Sequence, residues 1–167
     1  MRKIALVTLL GSLALALSSC IIVADLPVSN FRFDSNWQRN TDLRYVFCTN
    51  KTTQMRYKFR APDSSVISSI QERYEGFASG DTLTLNRSIG DLTREGSDLV
   101  FVGTLTFGQG GVPQSLPSGV SQQSIIVTPI TPPPSITGKT TVTVTVTTAS
   151  GRPYSGSYVY DVYSNCP

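Results

Sequence analysis

The chain has 167 residues, with 14 basic and 11 acidic side chains, no histidine, and a formal net charge of +3 at pH 7. The lack of histidine excludes Ser-His-Asp and Cys-His catalysis and removes the commonest zinc and copper ligand. A nucleic-acid-binding domain of this size carries a far larger positive excess, so we expect no nucleic acid partner.

The first element is an export signal. Arg2 and Lys3 precede an apolar segment at residues 4–17, which is shorter than the roughly 20 residues that a helix needs to cross a bilayer. The segment ends in Leu-Ser-Ser-Cys at residues 17–20, and this resembles the lipobox of bacterial lipoproteins. The alternative is an ordinary secretory signal that happens to end near a cysteine.

The lipoprotein resemblance implies cleavage before Cys20, a diacylglycerol on its sulfur and an acylated (for example palmitoylated) amine. Two or three acyl chains make membrane attachment effectively permanent. In enteric lipoproteins an acidic residue after the cysteine favours the inner membrane, and this chain has Ile21 and Ile22 there. The resemblance therefore implies a lipid-anchored protein of the cell envelope, in the outer membrane or at the cell surface if the host has an outer membrane.

Removing 19 of the 167 residues leaves 148 and a net charge of +1, since Arg2 and Lys3 are lost. This length suits one domain with one core. We expect a lipidated tether at residues 20–29 and a folded domain at residues 30–167. Residues 99–167 hold only three charged side chains and are rich in Thr, Ser, Val and Pro, which favours strands and loops with hydroxyl-bearing outer faces.

Two cysteines remain once Cys20 is assigned to lipid. In an exported chain, Cys48 and Cys166 are expected to form a disulfide that ties the last strand to an early one. The alternative is a reactive thiol pair or a soft-metal site, but no histidine or third thiol accompanies them.

The segment 34–42 contains Trp37, the single tryptophan, among oxygen-bearing residues that suggest a calcium loop. The EF-hand pattern fails because Arg39 stands where the turn glycine is needed, and Tyr45 where the bidentate glutamate is needed. The sequence predicts a solvated loop and no metal site.

Two strands are predicted at residues 43–48 and 54–60, joined as a hairpin by residues 50–53. In the second strand Met55, Tyr57 and Phe59 alternate with three cations, so the apolar side chains should face the core and the cations should face outward. An anionic partner such as lipid phosphate, an acidic glycan or an acidic protein fits this stripe, and the alternative is a solvated strand edge. The predicted patch comprises Arg44, Lys51, Arg56, Lys58 and Arg60.

Residues 64–77 carry apolar side chains at helical spacing after a helix-start signal at residues 62–65, which predicts one short helix. Further strands are predicted at residues 31–33, 82–85, 99–107, 124–128, 140–147 and 156–163. The last two form the strongest hairpin signal, around a turn at residues 150–153. The chain is therefore expected to be all-β, a single sandwich of about eight strands, immunoglobulin-like or similar.

Few residues in the chain suggest a catalytic or sugar-binding role. A glycosidase needs two carboxylates across a cleft, for which Glu72, Glu75 and Asp161 are available, but eleven acids spread along the chain supply such candidates by chance. Trp37 and Tyr154 are candidates for stacking on a sugar ring, although core packing is the favoured explanation for the tyrosines.

These observations favour a lipid-anchored, non-catalytic envelope lipoprotein that acts as a structural, adhesive or accessory binding module. Its expected partners are the membrane, through Cys20, and an envelope protein or glycan, and no cofactor is expected. A carbohydrate-binding module is the first alternative, and a histidine-free hydrolase is the second.

Overall fold

The computed structural model describes residues 27–77, 80–107, 113–115, 125–131 and 136–167. These residues form twelve strands in two sheets that pack face to face, so the predicted all-β sandwich is confirmed. The predicted lipobox, including Cys20, lies outside the described residues. Within them, the structure contains no helix that is both long enough and apolar enough to span a bilayer.

Most of the described residues lie in strands. In chain order they are β1 (Ser29–Ser35), β2 (Trp37–Arg39), β3 (Tyr45–Cys48), β4 (Thr53–Arg60), β5 (Ile67–Gly76), β6 (Thr82–Arg87), β7 (Thr93–Glu95), β8 (Asp98–Phe107), β9 (Pro113–Ser115), β10 (Thr128–Ile130), β11 (Ile136–Thr148) and β12 (Pro153–Tyr163). The first sheet has the order β1-β4-β8-β7, with β9 also on β8, and the second has the order β10-β2-β3-β12-β11-β5-β6.

The core lies between the sheets and is built from alternate residues of long strands. In β4, Met55, Tyr57 and Phe59 point inward and are fully buried, as their alternation with charged residues predicts. From the opposite sheet, β11 contributes Val142 and Val144, which are also fully buried. Full burial of such side chains stabilises the fold by roughly 1.5–3 kcal/mol each.

The predicted helix at residues 64–77 is wrong. A single 3-10 turn at Ser64–Val66 is followed by strand β5, which pairs with β11 on one side and β6 on the other. The residues of the helix-start signal do form a capped turn, since the Asp63 carboxylate accepts a hydrogen bond from the Ser65 amide. This turn does not continue as a helix beyond Val66. The following residues alternate between the core and solvent, and two neighbouring strands satisfy their backbone groups more completely than a short isolated helix would.

The predicted hairpin between residues 43–48 and 54–60 is also wrong. Strand β3 belongs to the second sheet, where it pairs with β2 and β12, whereas β4 belongs to the first sheet. The turn between them therefore crosses from one sheet to the other. The buried Thr53 hydroxyl fixes this crossing, donating to the Cys48 carbonyl at 2.8 Å and accepting from the Cys48 amide at 3.1 Å.

The strongest predicted hairpin is present, because β11 and β12 pair antiparallel from Thr147 and Pro153 onward. The strand predicted at residues 124–128 begins instead at Thr128, as β10, and residues 125–127 are not strand. It pairs in parallel with β2, beginning opposite Trp37.

Candidate functional site

The predicted disulfide between Cys48 and Cys166 is confirmed. The two Cα atoms are 5.9 Å apart and the residues are separated by 118 positions in sequence. Asn50 holds the second cysteine in place, since its side-chain amide donates to the Cys166 carbonyl and its oxygen accepts from the Cys166 amide, at 2.9 and 3.0 Å. The bond fastens the carboxyl terminus to the end of β3 and occupies both cysteines of the described domain.

The three cations of β4 lie on the outer face of the first sheet, but their charge is partly neutralised. Arg56 forms an ion pair with Asp34 of β1, with Nε 2.8 Å from Oδ2. Arg60 lies opposite Asp98 of β8. Lys58 lies opposite Arg32, a further cation, and in the part of the chain that the structure describes neither of these two forms an ion pair.

The other two residues of the predicted cationic patch lie elsewhere. Arg44 extends from the loop before β3 toward the Val159 carbonyl of β12, in the second sheet, at 3.4 Å. Lys51 lies in the turn between the sheets and lines a recess of about 290 Å³ beside Leu105 and Phe107. The five predicted cations therefore do not form one continuous stripe.

The two candidate sugar-stacking rings do not share a surface. Trp37 is buried on the outer side of the second sheet against Ile130 and Tyr163, and its indole N–H donates to the Thr52 carbonyl at 3.1 Å. Tyr154 is half-buried on the inner side of that sheet, against the main core. The buried Trp37 ring lacks the open face that stacking on a pyranose requires, so the prediction of a stacking role for it is wrong.

Glu72 forms a polar network inside the core that sequence reasoning missed. Its carboxylate is fully buried and accepts hydrogen bonds from the hydroxyls of Tyr57 and Tyr74, at 2.8 and 2.9 Å. The Arg87 guanidinium donates to both carboxylate oxygens, at 2.8 and 3.1 Å, and lies 4.5 Å from the centre of the Phe101 ring.

The environment of Glu72 makes this network a structural one. Burial, together with the nearby carboxylate, raises the pKa of the Tyr57 and Tyr74 hydroxyls well above its ordinary value. Each oxygen of the Glu72 carboxylate already accepts two hydrogen bonds, so the carboxylate has no free acceptor position and is shielded from water. Such an arrangement rigidifies a core, whereas a general acid needs access to a substrate.

The three carboxylates considered for glycoside hydrolysis point in different directions. Glu75 lies three residues after Glu72 in the same strand and so projects from the opposite face, where its Oε2 is 3.4 Å from Nη2 of Arg73. Asp161 lies on β12, on the outer side of the second sheet, where its Oδ2 accepts from Arg39 Nη1 at 3.2 Å. No two of the three face each other across a cleft.

Arg39 organises the loop that follows Trp37. Besides Asp161, it donates to the Tyr163 hydroxyl at 3.0 Å and, through Nε, to Asp42 Oδ1 at 2.7 Å. The hydrogen bond from Arg39 lowers the pKa of Asp42 to about 2. The two carboxylates of the segment that suggested a calcium loop, Asp42 and Asp34, are thus paired with Arg39 and Arg56 of the protein itself. The described residues contain no group of three or more potential metal ligands.

On the outer face of the second sheet, the region beside Lys139 and Asp161 that is centred on the threonines of β11 carries few charges, and we call it the threonine face. Its centre is the row of outward β11 side chains, which β12 and β5 flank in register. Its two charged members, Arg73 and Glu75, are paired with each other. The face comprises Thr141, Thr143, Thr145 and Thr147 of β11, Ser155 and Ser157 of β12, Ser69, Gln71, Arg73 and Glu75 of β5, and Thr82, Thr84 and Asn86 of β6.

Comparison with known proteins gives little. No family model and no curated protein matches the chain. Among solved structures it is similar to the crystal structure of a DUF4466 family protein from Parabacteroides merdae, at 12% sequence identity and a TM-score of 0.26, over 80% of this chain and 46% of that one. This chain thus spans less than half the length of that protein.

Proposed function

We propose that this protein is a lipid-anchored, non-catalytic module of the bacterial cell envelope. The observation that carries the proposal is the allocation of its three cysteines. Cys48 and Cys166 are bonded to each other, which suits an oxidising compartment outside the cytoplasm. Cys20 is then the remaining thiol, at the end of the apolar signal segment and within the lipobox-like sequence. A lipid on the Cys20 sulfur then gives each of the three cysteines a role.

The threonine face supports a role in binding. It is wide and regular, and its outward hydroxyl and amide groups offer both donors and acceptors to a partner. Because its charges are balanced, we propose that it contacts an uncharged surface of another envelope component, while Lys58 and Arg32 on the first sheet contribute little.

The state of the carboxylates favours a module without catalytic activity. Glu72 is buried and saturated, while Glu75 and Asp161 are each paired with an arginine. A histidine-free hydrolase would need two of these groups free and facing each other.

A carbohydrate-binding module is the second candidate, but it has less support. Its two stacking residues lie on opposite sides of one sheet, and Trp37 is buried. If glycan recognition occurs, we expect it to use the hydroxyl and amide groups of the threonine face.

Metabolic labelling tests the anchor. Cells that express the full chain are fed an alkynyl palmitate analogue, and the protein is isolated and its amino terminus is analysed by mass spectrometry. We expect label and a chain that begins at a lipid-modified Cys20, and loss of both in Cys20→Ala. A Ser18→Ala variant is the matched control and keeps the label. Recovery of an uncut, unlabelled amino terminus would overturn the proposal.

Affinity capture from envelope extracts tests the binding role. Thr143→Arg places a long cation at the centre of the threonine face, whereas Lys58→Gln alters the outer face of the first sheet. We expect envelope components that the unsubstituted chain captures to be lost with Thr143→Arg and kept with Lys58→Gln. The reverse pattern would assign binding to the cationic face instead. A glycan array on the same three proteins distinguishes a sugar from a protein partner.

A further inference from the structure

Arg32 of β1 and Lys58 of β4 are like charges that lie directly opposite each other on the outer face of the first sheet. Directly opposed residues of an antiparallel pair project from the same face, with Cβ atoms about 4.5–5.5 Å apart, and like charges in this position destabilise a sheet. The register fixes the opposition, because the pairing of β1 with β4 runs without a shift from Arg32 to Ser35.

No carboxylate offsets this pair of cations in the part of the chain that the structure describes. Neither Arg32 nor Lys58 forms an ion pair there. The acid of β1, Asp34, is already paired with the preceding cation of β4. On its other side Lys58 lies opposite Val100, which in turn lies opposite Thr93. This row of the sheet therefore has two positive charges and no negative one.

Protection of a strand edge does not account for Lys58. Cations guard the outermost strands of sheets against pairing with another chain. Strand β4 is interior, since it is hydrogen-bonded to β1 on one side and to β8 on the other. A guarding role therefore applies at most to Arg32, on the edge strand β1. The two cations together lack a counter-charge, which an anion from outside the described chain would supply.

The pair of cations lies close to the start of the folded domain. Strand β1 begins at Ser29, opposite Arg60, and Arg32 follows three residues later, roughly 10 Å along the strand. Cys20 precedes Ser29 by nine residues, which span at most about 30 Å. A lipid on Cys20 would therefore keep the outer face of the first sheet within reach of the bilayer surface.

We propose that the outer face of the first sheet docks on an anionic membrane surface, with Arg32 and Lys58 contacting the phosphates of lipid headgroups. The inference rests on the lipid anchor of the proposed function and adds the orientation of the domain to it. Headgroup phosphates relieve the repulsion between the two cations, and the anchor holds the domain at the surface, so two cations suffice. Because the threonine face lies on the other sheet, it points away from the bilayer and stays open to a partner.

Lysine footprinting of the full lipidated chain tests the docking. Beyond Cys20 the chain has three lysines, of which Lys58 lies on the docking face, Lys139 on the second sheet and Lys51 in the turn between the sheets. The chain is inserted into preformed vesicles of phosphatidylcholine, alone or mixed with phosphatidylglycerol. It is then acetylated briefly with a water-soluble ester and analysed by mass spectrometry.

We expect acetylation of Lys58, relative to Lys139, to fall by about fivefold or more on the anionic vesicles. Each cation near an anionic surface favours the bound state by roughly this factor. High salt should remove the protection, because it screens the attraction. Arg32→Gln should raise acetylation of Lys58 on anionic vesicles toward its level on neutral ones. Arg73→Gln removes a cation from the threonine face instead and is the matched control, which should leave the protection intact.

Flotation of the chain with neutral vesicles reports the anchor separately. A chain that does not float overturns the lipid anchor and the docking together. A chain that floats but shows equal acetylation of Lys58 on both kinds of vesicle overturns the docking alone, and so does protection of Lys139 in place of Lys58. Equal protection of Lys58 by a soluble acidic polysaccharide, with the chain in detergent, would assign the two cations to a soluble partner and would also overturn the docking.

Discussion

Phe31 of β1 lies directly over Gly156 of β12, so the two sheets are in close contact at this point. A Cβ atom added to Gly156 would lie 2.3 Å from the Cβ and 2.4 Å from the Cγ of Phe31. Real Cβ atoms do not approach other atoms so closely, and the obstructing atoms belong to the base of the side chain. Glycine at this position therefore allows β1 to close against the second sheet.

Gly156→Ala is expected to lower the free energy of unfolding by about 1–3 kcal/mol, because the added methyl group forces the sheets apart. Ser157→Ala, whose side chain points to solvent from the next position, should change it by less than about 0.5 kcal/mol. Urea unfolding of both variants measures the difference. In Phe31→Gly, which removes the Cβ as well as the ring, the cost of Gly156→Ala should largely disappear, and additive costs would contradict the contact.

Glu72→Gln is expected to destabilise the fold by roughly 3–5 kcal/mol, since it leaves the Arg87 guanidinium partly buried without its counter-charge. Glu75→Gln is the matched control, because its carboxylate is exposed on the other face of the same strand and pairs only with Arg73. Chemical unfolding of the two variants should separate them clearly, and equal costs would rule out a structural role for the buried network.

Removal of the disulfide by a Cys48→Ala and Cys166→Ala double substitution should cost about 2–5 kcal/mol, because the bond closes a loop of more than a hundred residues in the unfolded chain. Thermal unfolding, with and without reductant, measures this cost. Reductant should lower the midpoint of the unsubstituted chain and leave that of the double variant unchanged. If reductant also lowered the midpoint of the double variant, the loss of stability would have a cause other than the disulfide.

The ion pair between Arg39 and Asp42 predicts a specific acid response. The folded-state pKa of Asp42, about 2, lies below its ordinary value of 3.8, so this carboxylate stabilises the fold above pH 4 and the contribution is lost as the pH falls toward 2. Nuclear magnetic resonance titration of the Asp42 carboxyl should show the lowered pKa, and Arg39→Gln should return it toward 3.8. An unchanged pKa in that variant would assign the shift to the Arg44 amide instead.

Much of the strand content could be predicted because it is encoded locally. In β4 and β11, strict alternation of apolar and polar residues assigns each side chain to one face, whatever the rest of the chain does. The disulfide could be predicted because an exported chain has few other uses for two cysteines. The threonine face follows from the same alternation in β11.

Strand β5 shows where sequence reasoning fails. Its apolar residues, such as Ile70 and Tyr74, also fit a helical period, and the residue that would have revealed the two-residue alternation is the charged Glu72. A glutamate is expected at the surface, and it is buried here because Tyr57 from the opposite sheet and Arg87 from β6 reach it. Both partners are distant in sequence.

The sequence by itself determined the all-β class, the orientation of the regular strands and the pairing of the two cysteines, since each depends on local periodicity or on simple chemistry. Only the tertiary structure decided that β3 and β4 belong to different sheets, that Arg56 is neutralised by Asp34, and that Glu72 is buried between Tyr57 and Arg87. The physical reason is that strand order and ion pairing join residues far apart in the chain, and no local pattern records which distant residues will meet.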